Sequence, residues 1–574
     1  MNKGFFKKVT ALCMAAVMLL TVSPLFKADA AVPDKIRIGL YYKDTSVSVN
    51  TAQTFFNVSA AAGLCIGFMK DDFFNEIYKV TGSSSIYVRK DAYYYNDGST
   101  VKEYNPTSNT DTAIADREKY GPYHIKIGSD YTDALTAEAQ ASLYRQMGIP
   151  AAIAYNDSWQ VWAYSFINET AAQEQIAKLI PMIGEMGYTI TVPSPNGIVA
   201  VNEQYQPLCY FNSSIANFWV KPAPENSPSV FKIKGTPYRG ALEIKRLSGS
   251  DMTVINVVSM NEYLYGNVPC EIGGKSPAEA IKAQTVAAKM YILNSMGKHS
   301  KTGFDLCATT HCQVYKGYSA EIQSCNNAID QVADKILTYN GKPALTFYFA
   351  SSGGRTEDVK NVWNSSYPYL TSVEDKYEKI YTWTKTLSAS DVKSIVGNIG
   401  NIIGISITKT AESGRVTQLA VKGDRSSNPA YFDRERTRGI FGLKSQLYTI
   451  STDADVYATT AYNVSAVTAA AGGGVDASAM QYAVPEPKVI QLGDKKVISA
   501  SGTGSIKSSN NKVTILGANG ATSKATLVPE NYTFTGKGNG HAVGMSQEGA
   551  IGMAKAGITY DVILTHYFQG TKIE

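Results

Sequence analysis

One glutamate stands in a turn that could present its carboxyl group to a substrate. Glu271 lies in VPCEIGGKSP, after the strand-like stretch NVVSMNEYLYGNVP. Gly273 and Gly274 beside it carry no side chain, so a substrate could approach the backbone closely. A carboxyl group at such a place can transfer protons as a general acid or base. A solvated surface charge is the ordinary alternative for a glutamate in a turn.

Thiol and imidazole groups are concentrated in the segment DLCATTHCQVY. This segment holds Cys307, His311 and Cys312, and thiolate and imidazole are ligands that suit Zn²⁺ in a tetrahedral site. A disulfide between Cys307 and Cys312 is the alternative in an oxidising compartment. A chain of this length can bury enough apolar surface to fold without disulfides. The residues therefore leave two interpretations open, a zinc site and a disulfide.

The residues after Glu271 predict a helix. Ser276 suits a helix N-cap, Pro277 suits the first helical position, and Glu279 follows the serine by three residues, as in a capping box. Lys282 and Lys289 are seven residues apart and fall on nearly one face. The predicted apolar stripe consists of Ile281, Thr285, Ala288 and Ile292.

The amino terminus and the charge limit the class of protein. Lys3, Lys7 and Lys8 precede a short apolar run, and Ala28-Asp29-Ala30 resembles a cleavage site, so residues 1–30 are expected to be a signal peptide. The protein is then expected to be secreted, and an uncleaved membrane anchor is the less favoured alternative. The formal charge of +5 is small for 574 residues and is dispersed, which argues against nucleic acid as a partner.

Alternating apolar and polar residues dominate the chain. The segments KIRIGLYY, VFKIKG, ALEIKR and MTVINVV have the period of two that is typical of strands. The expected fold class is α+β, with a mainly β domain and inserted helices. Residues from about 451 to 490 are rich in Ala, Ser, Thr and Gly without steady periodicity, and we expect a flexible insertion there.

Residues 118–185 depart from this pattern. They predict the order strand, helix, strand, helix, with a helix stripe formed by Leu135, Ala139, Leu143 and Met147. The segments YHIKIGS, MGIP and VWAYSF resemble a SPOR domain, a small α/β, ferredoxin-like module that binds glycan strands stripped of peptides. A purely structural role for this module is the alternative.

Many blocks in order resemble the SpoIID/LytB family of sporulation stage II protein D and amidase enhancers. The strongest block is NEYLYGNVPCEIGGKSPAEAIKAQTVAAKMYIL. YRGALEI precedes it, and the blocks that follow it are CQVYKG, FYFASSGGRTEDVKNVW, YLTSVEDKYE, FGLKSQLY and GKGNGHAVGMSQEGAIGMAKAGITYDVILTHYF. The resemblance divides the chain into an N-terminal part of a SpoIID-type region at 31–117, the SPOR-like insert at 118–185, and a SpoIID/LytB domain at 186–574.

The resemblance implies a peptidoglycan lytic transglycosylase that cleaves peptide-free glycan strands of N-acetylmuramic acid and N-acetylglucosamine. Glu271 matches the catalytic glutamate of the family. As an acid it would protonate the glycosidic oxygen, and as a base it would take the proton of the muramic C6 hydroxyl while a 1,6-anhydro ring closes. Hydrolysis is an alternative that needs a second carboxylate, for which Glu262, Glu279 and Glu357 are the candidates.

The resemblance also suggests the walls of the substrate groove. The candidate substrate-binding residues are Lys282, Lys289, Tyr315, Ser351, Ser352, Gly353, His541, Ser546 and Gln547. The sequence departs from the family pattern at Cys270, Arg355 and Ala542, of which the last stands where glycine is more usual. These departures concern the fine contacts with substrate.

Some family members are similar in holding zinc near the active site. The implied ligands here are Cys307, Cys312, His299 and His311, although the usual histidine position is taken by Lys301 and His299 lies two residues earlier. A non-catalytic protein that binds the wall and assists an N-acetylmuramoyl-L-alanine amidase is the alternative function that the family offers.

Overall fold

A computed structural model describes residues 33–108, 112–223, 229–247, 249–425, 428–453 and 529–574, and only the backbone of short strands between 454 and 528. The chain forms two compact units. We call residues 31–275 and 291–333 the amino-terminal unit, and residues 276–290 and 334–574 the carboxy-terminal unit. The predicted signal peptide, residues 1–30, lies outside the described residues, as does most of the predicted insertion at about 451–490.

Two large sheets build the amino-terminal unit. The seven-stranded sheet has the order Leu306–Cys307, Lys35–Tyr41, Met252–Ser259, Ala241–Arg246, Asn217–Pro222, Gly63–Lys70 and Phe73–Thr81. The ten-stranded sheet has the order Tyr188–Thr191, Tyr123–Ile127, Trp159–Phe166, Ala151–Tyr155, Pro207–Phe211, Ile198–Val201, Ser84–Lys90, Phe55–Ala60, Val230–Ile233 and Thr236–Arg239. Smaller sheets join Lys119–Tyr120, Tyr94–Asn96 and Val101–Glu103, and join Lys43–Asp44 with Val49–Asn50.

Residues 118–185 contribute strands to the larger of these sheets. Their strands in this sheet are Tyr123–Ile127, Ala151–Tyr155 and Trp159–Phe166, and Tyr188–Thr191 follows the second helix. Ala151–Tyr155 pairs in parallel with Pro207–Phe211, which continues the sheet into the rest of the unit. The structure therefore does not separate residues 118–185 from the strands on either side of them in sequence.

The first helix in this stretch, Ala134–Gln146, buries a face that differs from the predicted one. Ala137, Ala141 and Tyr144 are buried, while the predicted stripe is exposed, with Leu135 at 83% and Leu143 at 52%. Small alanines let a helix backbone approach a sheet closely, so they form the contact in place of the larger leucines. The period of four in the sequence was real, but it marked the solvent face.

A helix was also missed just before Glu271. Met260–Val268 is helical and follows directly on the strand Met252–Ser259, so the prediction of a strand throughout NVVSMNEYLYGNVP was wrong in its second half. Ser259 and Glu262 form a capping box, with each side chain bonded to the backbone N–H of the other. This motif supplies two of the hydrogen bonds that a helix start lacks. The other helices of the unit are Glu169–Ile183 and Gln323–Asp330.

The carboxy-terminal unit is built from small sheets. Its strands form the groups Lys342–Pro343 with Leu337–Tyr339 and Lys572–Ile573; Tyr348–Phe349 with Met545–Ser546; Thr382–Ser388 with Asn531–Lys537 and Tyr448–Thr452; and Ile402–Thr410 with Val416–Gly423 and Ala430–Asp433. The remaining strands are Val456–Thr460, Asn463–Ala466, Lys488–Gln491, Val497–Ser499, Gly502–Gly504, Lys512–Leu516 and Thr522–Thr526. Trp383, Tyr448 and Phe534 belong to its apolar core.

Helices complete the chain. The predicted helix is present as Ala278–Ser295, and all four residues of its predicted stripe are buried. The short helices of the carboxy-terminal unit are Lys360–Trp363, Ala389–Val396, Arg436–Gly439, Gln547–Lys555 and Tyr560–Tyr567. The mixture of helices and strands agrees with the predicted α+β class. Among the described residues, no helix combines the length and the apolar character needed to cross a membrane.

Candidate active site and metal cluster

Glu271 lies on an unusual turn. The helix Met260–Val268 passes directly into a π-helical turn, Pro269–Gly273, which carries Glu271 in its middle. Such π-turns are rare and occur frequently at functional sites. Gly273 ends the turn with a φ of 84°, a conformation that costs glycine little and other residues more. The Glu271 side chain is half-buried, so it is neither sealed in the core nor fully solvated.

The peptide group of Val314 holds this carboxyl group. The Val314 N–H donates to Glu271 Oε1 at 3.3 Å, and Asn267 Nδ2 donates to the Val314 carbonyl oxygen at 2.8 Å. The Tyr263 hydroxyl group donates to Oε1 of the preceding residue, Gln313, at 3.1 Å. The helix before Glu271 thus anchors the segment that orients its carboxyl group.

The cysteine and histidine candidates converge immediately before that segment. One ligand atom from each of His299, Cys307, His311 and Cys312 lies within 4.8 Å of all the others. His311 Nδ1 is 3.7 Å from both sulfur atoms, and His299 Nε2 is 3.4 Å from Cys312 Sγ. All six described cysteines are free. The 3₁₀ turn Ser300–Thr302 follows His299, and His299 reaches the cluster despite its shifted position in sequence.

These distances fit a tetrahedral zinc ion. Bonds of about 2.3 Å to sulfur and about 2.0 Å to nitrogen place the two ligand atoms about 3.5 Å apart at a tetrahedral angle. The three observed sulfur–nitrogen distances lie between 3.4 and 3.7 Å. Hydrogen bonding by Cys312, and then by His299 and His311, lowers the pKa of the Cys307 thiol. A thiolate is the form that binds metal.

An acidic residue supports this cluster from outside. Asp44 Oδ2 is 3.5 Å from His299 Nδ1, and a carboxylate behind a ligating imidazole orients the ring and raises its basicity. Burial and the negative charges of Cys312, Cys307 and Glu271 raise the pKa of Tyr291. This tyrosine therefore lies near both Glu271 and the cysteine cluster. The candidate acid/base and the cysteine cluster therefore share one neighbourhood within the amino-terminal unit.

Tyr315, a predicted substrate contact, belongs to the core. It is buried, its hydroxyl group donates to Asn256 Oδ1 at 2.8 Å, and its ring stacks on Tyr263. In this position it supports the helix before Glu271. A direct contact with substrate remains a prediction.

The predicted lysines lie in the carboxy-terminal unit and differ from each other. Lys282 pairs with Glu279 at 2.7 Å and keeps some exposure. Lys289 is fully buried, and its ammonium group donates to the carbonyl oxygen of Lys335 at 3.0 Å. Burial lowers the pKa of Lys289 to about 8. The two side chains therefore have different environments despite their shared helix face.

The serine and glycine candidates surround a carboxylate that the sequence did not single out. Glu378 accepts hydrogen bonds from the backbone N–H groups of Ser352, Gly353 and Gly354. The hydroxyl groups of Ser351 and Ser546 also donate to it, at 3.2 and 2.9 Å. We call this arrangement the Glu378 nest. All three serines are buried, so the structure assigns their polar groups to holding two loops together.

His541 and Gln547 flank the second of these loops. His541 lies among the rings of Phe347, Phe349 and Trp363, and burial followed by the charge of Arg438 lowers its pKa to about 3. The imidazole is therefore neutral near pH 7. Gln547 is half-buried at the start of the helix Gln547–Lys555.

The three candidates for a second carboxylate have other structural roles. Glu262 caps the helix that leads to Glu271. Glu279 pairs with Lys282 and accepts the backbone N–H of Tyr560 at 2.8 Å. Glu357 is buried and bonded to Ser413, Asn361 and the N–H of Asp358.

Sequence reasoning missed several residues that the structure places in these sites. Asp44, Asn267 and Glu378 come from distant parts of the chain, and no local spacing links them to the residues they hold. The capping pair Ser259 and Glu262 did carry a local signal, in the sequence SMNE. Recognising it would have predicted the helix that leads to Glu271.

Comparison with known proteins finds relatives of the region that contains this site. The family described as Stage II sporulation protein, SpoIID, matches residues 248–339, which include Glu271 and the whole cysteine cluster. The amidase enhancer of Bacillus subtilis is 32% identical over 314 residues, which are 54% of this chain and 40% of that protein. The stage II sporulation protein D of the same organism is 26% identical over 334 residues, 55% of this chain and 74% of that protein. The matched region thus spans less than half of the amidase enhancer.

Proposed function

We propose that this chain, which carries a SpoIID domain, is a secreted cell-wall protein that cleaves peptidoglycan glycan strands as a lytic transglycosylase. The observation that carries the proposal is the placement of Glu271. A half-buried carboxyl group sits on a π-turn and accepts a hydrogen bond from the backbone N–H of Val314, a residue whose carbonyl oxygen is held by Asn267. A general acid/base needs this combination of partial burial and fixed orientation.

The reaction requires a single carboxyl group that acts twice. Protonated Glu271 donates to the glycosidic oxygen between N-acetylmuramic acid and N-acetylglucosamine as the bond from muramic C1 to that oxygen breaks. The resulting carboxylate then takes the proton of the muramic C6 hydroxyl while the C6 oxygen bonds to C1. The products are a 1,6-anhydro end and a free 4-hydroxyl end, and Glu271 is again protonated.

The roles of the three candidate acids support ring closure over attack by water. Hydrolysis with either stereochemical outcome normally uses a second carboxylate. Glu262, Glu279 and Glu357 are all engaged in capping, pairing or buried hydrogen bonds. A mechanism that needs only Glu271 therefore fits the described residues better.

A zinc ion held by His299, Cys307, His311 and Cys312 is part of the proposal. Four protein ligands fill a tetrahedral site, so the ion would cross-link the chain instead of activating water. The segment that follows Cys312 carries the Val314 N–H group that contacts Glu271. The cluster would therefore fix the position of the donor that orients the carboxyl group.

Residues 118–185 are proposed to hold the protein on peptide-free glycan. The order of their strands with Tyr188–Thr191, 4-1-3-2 with every neighbouring pair antiparallel, supports a SPOR-like fold. A second attachment to the same polymer raises the local concentration of substrate at the catalytic residue. Peptidoglycan glycan strands are therefore the proposed ligand of both regions.

The resemblance to an amidase enhancer favours a second candidate function. In that case the chain binds the wall and stimulates an N-acetylmuramoyl-L-alanine amidase without cleaving glycan. The two functions differ in whether they require Glu271. Only the enzyme depends on its proton transfer.

The test is the variant Glu271→Gln, which keeps the size of the side chain and removes the titrating group. Purified wild-type and variant proteins are incubated with peptide-free glycan in the absence of amidase, and chain length is followed by chromatography. The variant should lose about 100-fold or more in rate while its melting temperature is unchanged.

Glu203→Gln is the matched control, because Glu203 is exposed on a turn and its change should leave the rate unaltered. Equal rates for the Glu271 variant and the control would overturn the proposed mechanism. Stimulation of an amidase by a wild-type protein that shortens no glycan would instead support the second function.

A further inference from the structure

An arginine paired with a glutamate lies beside the helix Met260–Val268, which leads to Glu271. Arg239 Nε and Nη2 donate to the two carboxylate oxygens of Glu321 at 2.6 and 2.8 Å. Asn326 Nδ2 donates to the same carboxylate at 2.8 Å. A two-pronged pair of this kind fixes the guanidinium plane as well as its position. Its positive charge is offset by Glu321, so the group is close to neutral as a whole.

Two tyrosine rings lie against this guanidinium group. The Arg239 Cζ atom is 5.6 Å from the ring centre of Tyr265 and 5.1 Å from that of Tyr318, within the range of cation–π attraction. The Tyr265 hydroxyl group also donates to Asp330. Tyr318 remains 37% exposed. We call Arg239, Tyr265 and Tyr318 the tyrosine platform.

The platform is close to Glu271 along one continuous segment. The Lys316 N–H donates to the carbonyl oxygen of Gly266 at 3.2 Å, so residues 314–318 run beside the helix that leads into the π-turn. Val314 contacts Glu271, and Tyr318 is four residues further on. Four residues of extended chain reach at most about 14 Å, a separation that a few linked sugars cover.

We propose that the tyrosine platform is a sugar-binding subsite, in which Tyr318 stacks on a neutral N-acetylhexosamine of the glycan strand that Glu271 cleaves. This inference rests on the proposed function and names a residue that positions its substrate. A tyrosine offers a flat apolar face for a pyranose ring and a polar edge for its hydroxyl groups. The paired charges of Arg239 and Glu321 favour a neutral sugar over an anionic ligand.

Rigidity is the second argument for this ligand. Binding loses free energy when mobile side chains become ordered, but Arg239 is already held by Glu321 and contacts both rings. The SpoIID-matched segment supplies Tyr265 and Tyr318, whereas the bracing Arg239 precedes it. A preformed aromatic face next to an acid/base is therefore available before substrate arrives.

The experiment measures steady-state cleavage of peptide-free glycan by the full chain and its binding by the inactive Glu271→Gln protein. Tyr318→Ala should raise KM and weaken binding by about five-fold, the size expected for one aromatic contact, with kcat within about two-fold. Tyr318→Phe keeps the ring and should behave as wild type. Tyr431→Ala removes an exposed tyrosine of the carboxy-terminal unit and should change nothing.

The results can overturn the sugar-binding subsite and the proposed function separately. Wild-type KM and binding in Tyr318→Ala would overturn the subsite while leaving the proposed function intact. Loss of amidase stimulation without any change in KM would overturn it too, and would assign the surface to a protein partner. If the Glu271→Gln protein binds no glycan at all, the proposed function itself fails.

Discussion

Single residues in this chain carry roles that depend on small groups of neighbours. The carboxyl group of Glu271 is oriented by one backbone N–H, that of Val314, and Asn267 donates a hydrogen bond to the carbonyl oxygen of the same residue. Cys312, a member of the Cys/His cluster, lies two residues before Val314. The chemistry of the site thus depends on how firmly the segment from Cys312 to Val314 is held.

Zinc binding is the first prediction at this scale. Elemental analysis of the purified protein should find about one zinc ion per chain, because the four ligand atoms have tetrahedral spacing. Cys312→Ser should lose the metal and lower the melting temperature, whereas Cys325→Ser, at a buried cysteine outside the cluster, should keep it. A metal-free protein in which thiol titration finds neither Cys307 nor Cys312 would show a disulfide instead.

Ala542 gives a second prediction. Its φ of 66° lies in the left-handed region, which disfavours any residue with a Cβ atom. Ala542→Gly should therefore raise the free energy of unfolding by about 0.5 kcal/mol, since relief of strain exceeds the added freedom of the unfolded chain. Urea denaturation measures this difference.

The control for this change is Ala550→Gly. Ala550 is buried in the helix Gln547–Lys555, where the same substitution should lower stability by about 1 kcal/mol. Equal destabilisation by both changes would contradict the strain at Ala542.

A buried acid gives a third prediction, which concerns pH. Burial and the nearby Glu378 raise the pKa of Asp375 to about 7, and the Tyr567 hydroxyl group donates to it at 2.9 Å. The folded state therefore binds this proton more tightly than the unfolded state, whose pKa is near 3.8. The resulting stability is present below about pH 4 and is lost as pH rises through 7.

Asp375→Asn removes this titration while keeping the shape of the side chain. Between pH 5 and pH 8 the wild type should lose roughly 2 kcal/mol of unfolding free energy relative to this variant. Denaturant titrations at several pH values measure the difference. Parallel pH profiles for the two proteins would show that Asp375 is already ionised in the fold.

At the scale of elements, the spacing of apolar residues predicted the buried face of one helix and failed for another. The helix Ala278–Ser295 buries Ile281, Thr285, Ala288 and Ile292 as predicted. The helix Ala134–Gln146 does not follow its largest apolar residues, because Ala137 and Ala141 allow closer contact. Hydrophobicity alone favours the large leucines. It does not predict that small alanines will form the contact with the sheet.

In the site, too, features formed by residues close in sequence could be predicted, and features formed by distant residues could not. The turn around Glu271 and the cluster of Cys307, His311 and Cys312 are visible in sequence because they are local. The π-turn, the Val314 N–H group and the Glu378 nest arise from contacts across dozens of residues or from backbone geometry. No spacing of residue types encodes them.

At the scale of the whole molecule, two compact units divide the functional residues. The amino-terminal unit holds Glu271 and the Cys/His cluster, and the carboxy-terminal unit holds the Glu378 nest and Asp375. The segment 118–185 shares a sheet with its neighbours in sequence. The predicted insertion of residues 118–185 into one SpoIID-type domain stays a prediction.

This division predicts that heating unfolds the protein in more than one step. In scanning calorimetry, removal of zinc by a chelator should lower the transition of the amino-terminal unit, because metal binding stabilises only the fold that contains its ligands. Asp375→Asn should shift the transition of the carboxy-terminal unit, which contains this residue. One transition whose calorimetric and van't Hoff enthalpies agree, shifted by both treatments, would contradict independent units.

The mass of the reaction products tests the central claim most directly. Wild-type protein is incubated with peptide-free glycan strands and no amidase, and the new chain ends are weighed by mass spectrometry. Proton transfer by Glu271 with ring closure predicts shortened chains whose muramic ends are one water lighter than hydrolysed ends. Chains of unchanged length, or ends that carry the full water, would contradict it.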